Sequence, residues 1–244
     1  MLVALLLPVC AIAQPRPVPP DAPLVTDLSN HRVAISSSFT GTQLLVFGAV
    51  DAPGEIVVVV RGPAAPLTVR RKERVAGIWL NRRAVQFESV PAYYAVAANR
   101  PLQEIASASL LGRLQIGTQN IRLAADVGED QAAPFREAIL RNKETEGLFE
   151  SQTLPVTVLG NRLFRAIFDL PSTVPVGTYR AEVYLIRDDR VVAAQATPLF
   201  VDKQGFEQEV YDFAHTQPLA YGLVAVLLAV AAGWTASLLF RRTA

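Results

Sequence analysis

The sequence predicts a mainly β protein: two tandem immunoglobulin-like β-sandwich domains with one or two short helices, followed by a C-terminal transmembrane helix. Between residues 24 and 203, short apolar segments alternate with period two and are separated by Pro, Gly and Asp turns, the pattern of sandwich strands. Residues 218–240 contain no charged side chain. As a helix rising about 1.5 Å per residue, that run covers the roughly 30 Å hydrocarbon layer of a bilayer. The mean hydropathy of +0.27 agrees with a membrane segment added to a folded body. With 23 basic and 22 acidic side chains in 244 residues, no global field draws the chain to nucleic acid.

The elements follow in chain order. Residues 1–13, MLVALLLPVCAIA, read as a signal peptide ending in Ala11-Ile12-Ala13, so the mature chain is expected to begin near Gln14. Cys10, the single cysteine, leaves with that leader, and disulfides or thiolate chemistry are not expected. Residues 14–23 hold five prolines and read as a stiff linker. Residues 24–118 are expected to form the first sandwich. Its central strand is EIVVVVRGP, whose four valines suggest cover on both faces; further strands are expected at LTVRR, RVAGIWL, AVQFESV and YYAVA. In PLQEIASASLLG, Pro101 suits a first helical position and Gly112 a stop.

Residues 119–203 are expected to form the second sandwich, with a helix near 134–146 and strands at LPVTVL, RLFRAIFDL, GTYRAEVYLIR and VVAAQATPLFV. Residues 204–217 are a juxtamembrane segment and 241–244 a tail. Arg241 and Arg242 directly follow the apolar run, which the positive-inside rule leaves in the cytoplasm. The body is therefore expected in the periplasm, on a single-pass anchor in the bacterial inner membrane.

Chemistry-bearing residues are sparse. His31 and His215 are the only histidines, without HxxxH or HExxH spacing, so no metal site is expected. Ser36, Ser37 and Ser38 follow His31, but no GxSxG elbow is present, and the run falls at a strand end. No catalytic residue and no cofactor is expected. Charge is unevenly spread. From 61 to 83 the chain carries Arg61, Arg70, Arg71, Lys72, Arg74, Arg82 and Arg83 against Glu73 alone, six net positive charges. Arg61, Arg70, Arg71, Lys72 and Arg74 are thus a candidate site for an anion or an acidic partner. Residues 126–150 are four net negative, which also fits two solvated faces docked on one another. In the membrane segment, Ala225, Ala229, Gly233 and Ser237 recur every four residues, a candidate packing face for another helix.

SNHRVAISSSFTGTQLLVFGAV, VRGPAAPLTVRRKERVAGIWLN, LPSTVPVGTYRAEVYLIRD and KQGFEQEVYDFA together resemble the alphaproteobacterial putative transmembrane protein family, across residues 24–242. The resemblance implies a signal peptide, a single C-terminal span and a tendency to be encoded beside sulfite or organosulfonate exporter-like membrane proteins. The family defines no catalytic residues; His31, Arg61, Lys72, Trp79 and Tyr179 fall in its motif segments as positions to test. The expected function is a membrane-anchored binding or assembly protein, an accessory to such a transporter, with a multi-span membrane protein or a second copy as partner through the helix. The alternative is a solitary periplasmic anionic-solute-binding protein or enzyme, its site between the sandwiches and built from His31, the arginines, Tyr93 and Tyr94.

Overall fold

The computed structural model describes residues 23–75, 78–203 and 213–240. The expected signal peptide, all of the proline-rich linker but Pro23, residues 204–212 and the tail 241–244 lie outside them. The body is mainly β, as its alternation predicts. Its strands are β1 (Leu24–Leu28), β2 (Arg32–Ile35), β3 (Gly41–Val50), β4 (Glu55–Arg61), β5 (Ala64–Val75), β6 (Ile78–Pro91), β7 (Tyr94–Ala98), β8 (Leu154–Leu159), β9 (Leu163–Pro171), β10 (Gly177–Arg187) and β11 (Arg190–Lys203). Nine of them make one sheet in the order β1-β3-β9-β8-β7-β4-β10-β11-β2, while β5 and β6 form a separate two-stranded ribbon.

Period two decides which side chains enter the core. In β9, Phe164, Ala166, Phe168 and Leu170 are buried while the residues between them face outward. β10 buries Tyr179, Ala181, Val183 and Leu185 in the same way. The sheet curls so that these inner faces meet in one core, joined by Leu44 and Val46 of β3 and Leu199 and Val201 of β11. Each fully buried Leu or Phe there stabilises the fold by about 1.5–3 kcal/mol relative to exposure.

Two seams close the curl. On one side β7 and β8 pair in parallel through Ala97–Leu154 and Ala98–Pro155. On the other, the Gln195 side chain of β11 replaces a missing strand partner. Its Oε1 accepts from Thr26 N at 3.0 Å and its Nε2 donates to Thr26 O at 3.1 Å. One primary amide thus satisfies both backbone groups of a β1 residue that would otherwise face an open edge.

The two regions expected as tandem sandwiches share this single sheet. β3 pairs with β9 from Gly41–Pro171 to Ala49–Leu163, and β4 pairs with β10 from Arg61–Arg180 to Glu55–Ile186. The boundary at 118/119 divides no layer. The physical reason lies in β5 and β6, which leave the body as a ribbon; residues 24–100 then retain too few strands to cover both faces of a core. Strands 154–203 complete it.

The all-valine strand β4 is central, and Ile56 to Val60 are at most 2% exposed. Its outer face is covered by two short helices, α1 (Leu102–Ile105) and α2 (Ala108–Leu114), and a 3-10 turn at Thr118–Asn120. The single helix expected at 101–112 is broken at Ser107, whose Oγ caps α2 by accepting from Leu110 N at 3.2 Å. Gly112 lies within α2, and the helix ends instead at Gln115, in the left-handed region at φ 53°. Helix α3 (Glu129–Thr145) starts five residues before the expected 134, because Gly128 caps it and Glu129 and Asp130 favour its positive N-terminal end. Helix α4 (Pro218–Phe240) is the apolar run; Pro218–Ala236 has a mean hydropathy of 1.9, long and apolar enough to cross a membrane.

Candidate functional site

Arg61, expected in an anion site, is committed to the interior. It ends β4 on the outer face, where register places it beside Arg180 of β10 and Tyr94 of β7. Its guanidinium forms an ion pair with Glu182, with the side chains 21% and 15% exposed. Nη2 donates to Leu114 O at 2.8 Å and to Gln115 O at 3.0 Å, the last carbonyls of α2. Five fixed donors let one guanidinium serve a carboxylate and a helix C-terminus together, which a lysine would not do. The Tyr94 ring lies 5.8 Å beneath it; the phenol donates to Gln115 O at 2.8 Å and accepts from Gly117 N at 2.9 Å. Burial pushes the Tyr94 phenol up to about 12, while Arg61 and the Gly117 amide pull the other way. The assembly clamps the helical layer to the sheet.

The other four basic residues stand apart from Arg61, on the β5–β6 ribbon. That ribbon continues the β4–β7 ladder out of the sheet: Gly62 N donates to Tyr93 O and Ala92 N to Pro63 O, both at 2.8 Å, and the pairing resumes at Ala64–Pro91. The ladder ends at Val75–Ile78, with bulges near Ala65 and Arg71. Its base is held by Val85, Phe87 and Val90 in the core and by the chain at 124–126, where Glu88 N donates to Ala124 O at 3.0 Å. Past Val85, Arg70, Arg71, Lys72, Arg74 and Ile78 are exposed. Among the described residues none pairs with the four cations. The acidic segment does pack nearby: Arg71, Asp130 and Phe135 line one cleft of about 410 Å³, and Arg70, Arg71, Phe135 and Arg141 line another of about 380 Å³.

The remaining candidates are separate. His31 Nε2 lies 2.9 Å from Asp27 Oδ1, half-exposed in the turn between β1 and β2. Ser36 and Ser38 bond to each other at 3.1 Å beyond the far end of β2, four extended residues or about 13 Å along the chain. No reactive pair forms there. Tyr93 and Tyr179 face the core with rings 6.1 Å apart, and their hydroxyls donate to Asp169 O at 3.0 Å and Pro175 O at 2.6 Å. Burial raises both phenols above their ordinary value. With the two regions fused in one sheet, the site expected between sandwiches has no place. Arg100, beside a cleft of about 670 Å³ at the opposite end, is held by Glu55 at 3.1 Å and Glu104 at 2.7 Å. The side chains of Trp79, Arg82 and Ser237 lie outside the described residues. Ala225, Ala229 and Gly233 share one face of α4, exposed along its length.

One surface was missed at the sequence level. Among the described residues nothing covers the outer face of the β1-β3-β9-β8 half, unlike that of β4. Register sets Val25, Ala49, Leu163 and Leu159 in a row across the four strands, and Leu45 beside Ile167 four residues along. Val25, Phe47, Leu159, Leu163 and Ile167 are 41–56% exposed. The signal was present in RLFRAIFDL, which carries apolar residues at both parities: Leu163 and Ile167 as well as Phe164 and Phe168. A strand with one solvated face normally has polar residues at the second parity.

No curated protein matches the sequence. A family model described as "Putative transmembrane protein (Alph_Pro_TM)" matches residues 23–242, from the residue before β1 to the two arginines after α4. The one apolar, membrane-length helix among the described residues agrees with that description, and the chain belongs to this transmembrane protein family.

Proposed function

We propose that the protein is a membrane-anchored extracytoplasmic binding and assembly protein, with its body in the bacterial periplasm and its C-terminus in the cytoplasm. In this reading it is an accessory that holds a multi-span membrane protein of the sulfite or organosulfonate exporter type. The observation that carries the reading is the bare face of the β1-β3-β9-β8 half. Five large apolar side chains, 41–56% exposed and arranged by strand register, form an apolar surface of the kind that marks a protein interface. The opposite outer face, around β4, is already covered by α1 and α2. On α4, the face with Ala225, Ala229 and Gly233 lets a partner helix approach closely, and a Cβ at Gly233 meets nothing within 4 Å in this chain.

The test is photocrosslinking in the native membrane, with a photoreactive phenylalanine at position 47 or 167 and, as control, at position 190, exposed at the start of β11. Adducts to one multi-span protein from 47 and 167, absent from 190 and lost in Ile167→Glu or Gly233→Leu, are expected. No adduct from either position refutes the reading. Adducts only to a second copy replace it with self-association.

A further inference from the structure

The ribbon and the exit of the chain toward the membrane lie at the same end of the sheet. Gly177 opens β10 opposite Val201 of β11, and Lys203 ends β11 two residues later. Pro63, at the root of the ribbon, packs over Gly177, where a Cβ would lie 2.8 Å from Pro63 Cγ. The ribbon is long: the 12 residues of β5 extend about 37 Å at about 3.4 Å per residue. The tether is of similar reach, since ten peptide links join Lys203 to Phe213 and span at most ~36 Å. The tip of the ribbon is thus within range of the bilayer that holds α4.

The chemistry of the exposed part suits a lipid surface. Arg70, Arg71, Lys72 and Arg74 project without described partners, Arg141 of α3 joins Arg70 and Arg71 at the cleft beside them, and Ile78 at the tip is 65% exposed. Register pairs Arg74 with Trp79, placing a tryptophan position among the cations, the residue type enriched at membrane interfaces. Cations flanking an apolar tip match a layer of phosphates above hydrocarbon. The four cations lie along β5 and Ile78 opens β6 at the end, so charge and apolar tip sit at successive depths along one ribbon.

We propose that the β5–β6 ribbon docks on the anionic phospholipid headgroups of the membrane that anchors the chain, with Arg70, Arg71, Lys72 and Arg74 on the phosphates and Ile78 in the interface. Each cation at an anionic surface strengthens binding about fivefold. Tethering through α4 adds a high local concentration, so weak contacts suffice. The docking does not depend on the partner face, which lies on other strands.

The full chain is labelled with an environment-sensitive fluorophore at Ile78→Cys in a Cys10→Ala background. It is reconstituted in vesicles of phosphatidylcholine alone or of equal parts phosphatidylcholine and phosphatidylglycerol. Emission is expected to rise several-fold with phosphatidylglycerol. It should fall back at high salt, where screening shortens to about 3 Å at 1 M, and in Arg70→Glu/Arg71→Glu/Lys72→Glu. Equal emission in the two vesicles overturns the proposal, as does a rise that salt leaves unchanged. The salt titration needs no charge-reversed variant, so it decides even if that variant misfolds. Crosslinking from position 74 to an acidic membrane protein, together with equal emission, assigns the ribbon to a protein instead.

Discussion

Replacing Arg61 with methionine tests whether the helical layer is held by the guanidinium. The side chain is replaced by one of similar length, but Glu182, 15% exposed, loses its close ion pair and keeps only the exposed Arg180 at 3.8 Å, and Leu114 O loses a donor at 2.8 Å. Breaking a buried pair from one side costs about 3–5 kcal/mol. The low end applies here, because Tyr184 still donates to Glu182 at 2.9 Å and Tyr94 to Gln115 O at 2.8 Å. A loss of about 3 kcal/mol is expected. At a urea slope of about 1–3 kcal/mol per molar, the midpoint falls by about 1 M or more. The double variant Arg61→Met/Glu182→Met removes the stranded charge and should recover much of that loss, a coupling of about 2 kcal/mol. The assay is urea unfolding of the full chain in micelles, with hydrogen exchange read at Leu110–Gly117. Single-variant losses below about 0.5 kcal/mol that add in the double would refute the clamp and return Arg61 to the solvated cations.

Two further outcomes follow from the same geometry. Tyr94 holds its proton up to about 12 in the fold against 10.0 unfolded, so the stability it contributes is complete below 10.0 and is lost as pH rises through about 12. Tyr94→Phe should therefore be less stable than the parent at pH 7, by about 1–3 kcal/mol for the stranded Gly117 amide, and should show a shallower fall between pH 10 and 12 in thermal melts; parallel profiles would contradict this. Gly48→Ala sets a Cβ 2.2 Å from Val25 O and 2.7 Å from the Phe164 ring, so β1 must part from β3. A loss of about 3 kcal/mol or more is expected, and unchanged melting would show that the strands shift at little cost.

Local chemistry was legible in the sequence and pairing was not. The valine run of β4, the alternation in β9 and β10 and the uncharged run of α4 each state their own burial, because period and composition act within one element. Which strands meet is a different matter. β3 finds β9 across more than a hundred residues, and period two is equally satisfied by any partner. The same limit separated Arg61 from Arg70 through Arg74. Net charge along the chain treats them as one cluster, whereas a single ladder puts the first within the body and the rest on a projecting ribbon. Glu182, the residue that neutralises Arg61, lies 121 positions away.

The Gln195 clasp also bears on the order in which the molecule can be made. Synthesis delivers β1, β3 and β4 first, yet β3 needs β9, β4 needs β10, and β1 keeps an open edge until Gln195 of the last strand arrives. That last strand ends at Lys203, with only 14 residues between it and the start of the membrane helix at Pro218. The body therefore stays unfinished, with unpaired edges and no closed core, until almost the moment its anchor emerges. Folding and anchoring become nearly one event, and a chain cut short before β11 leaves its earliest strands unsatisfied.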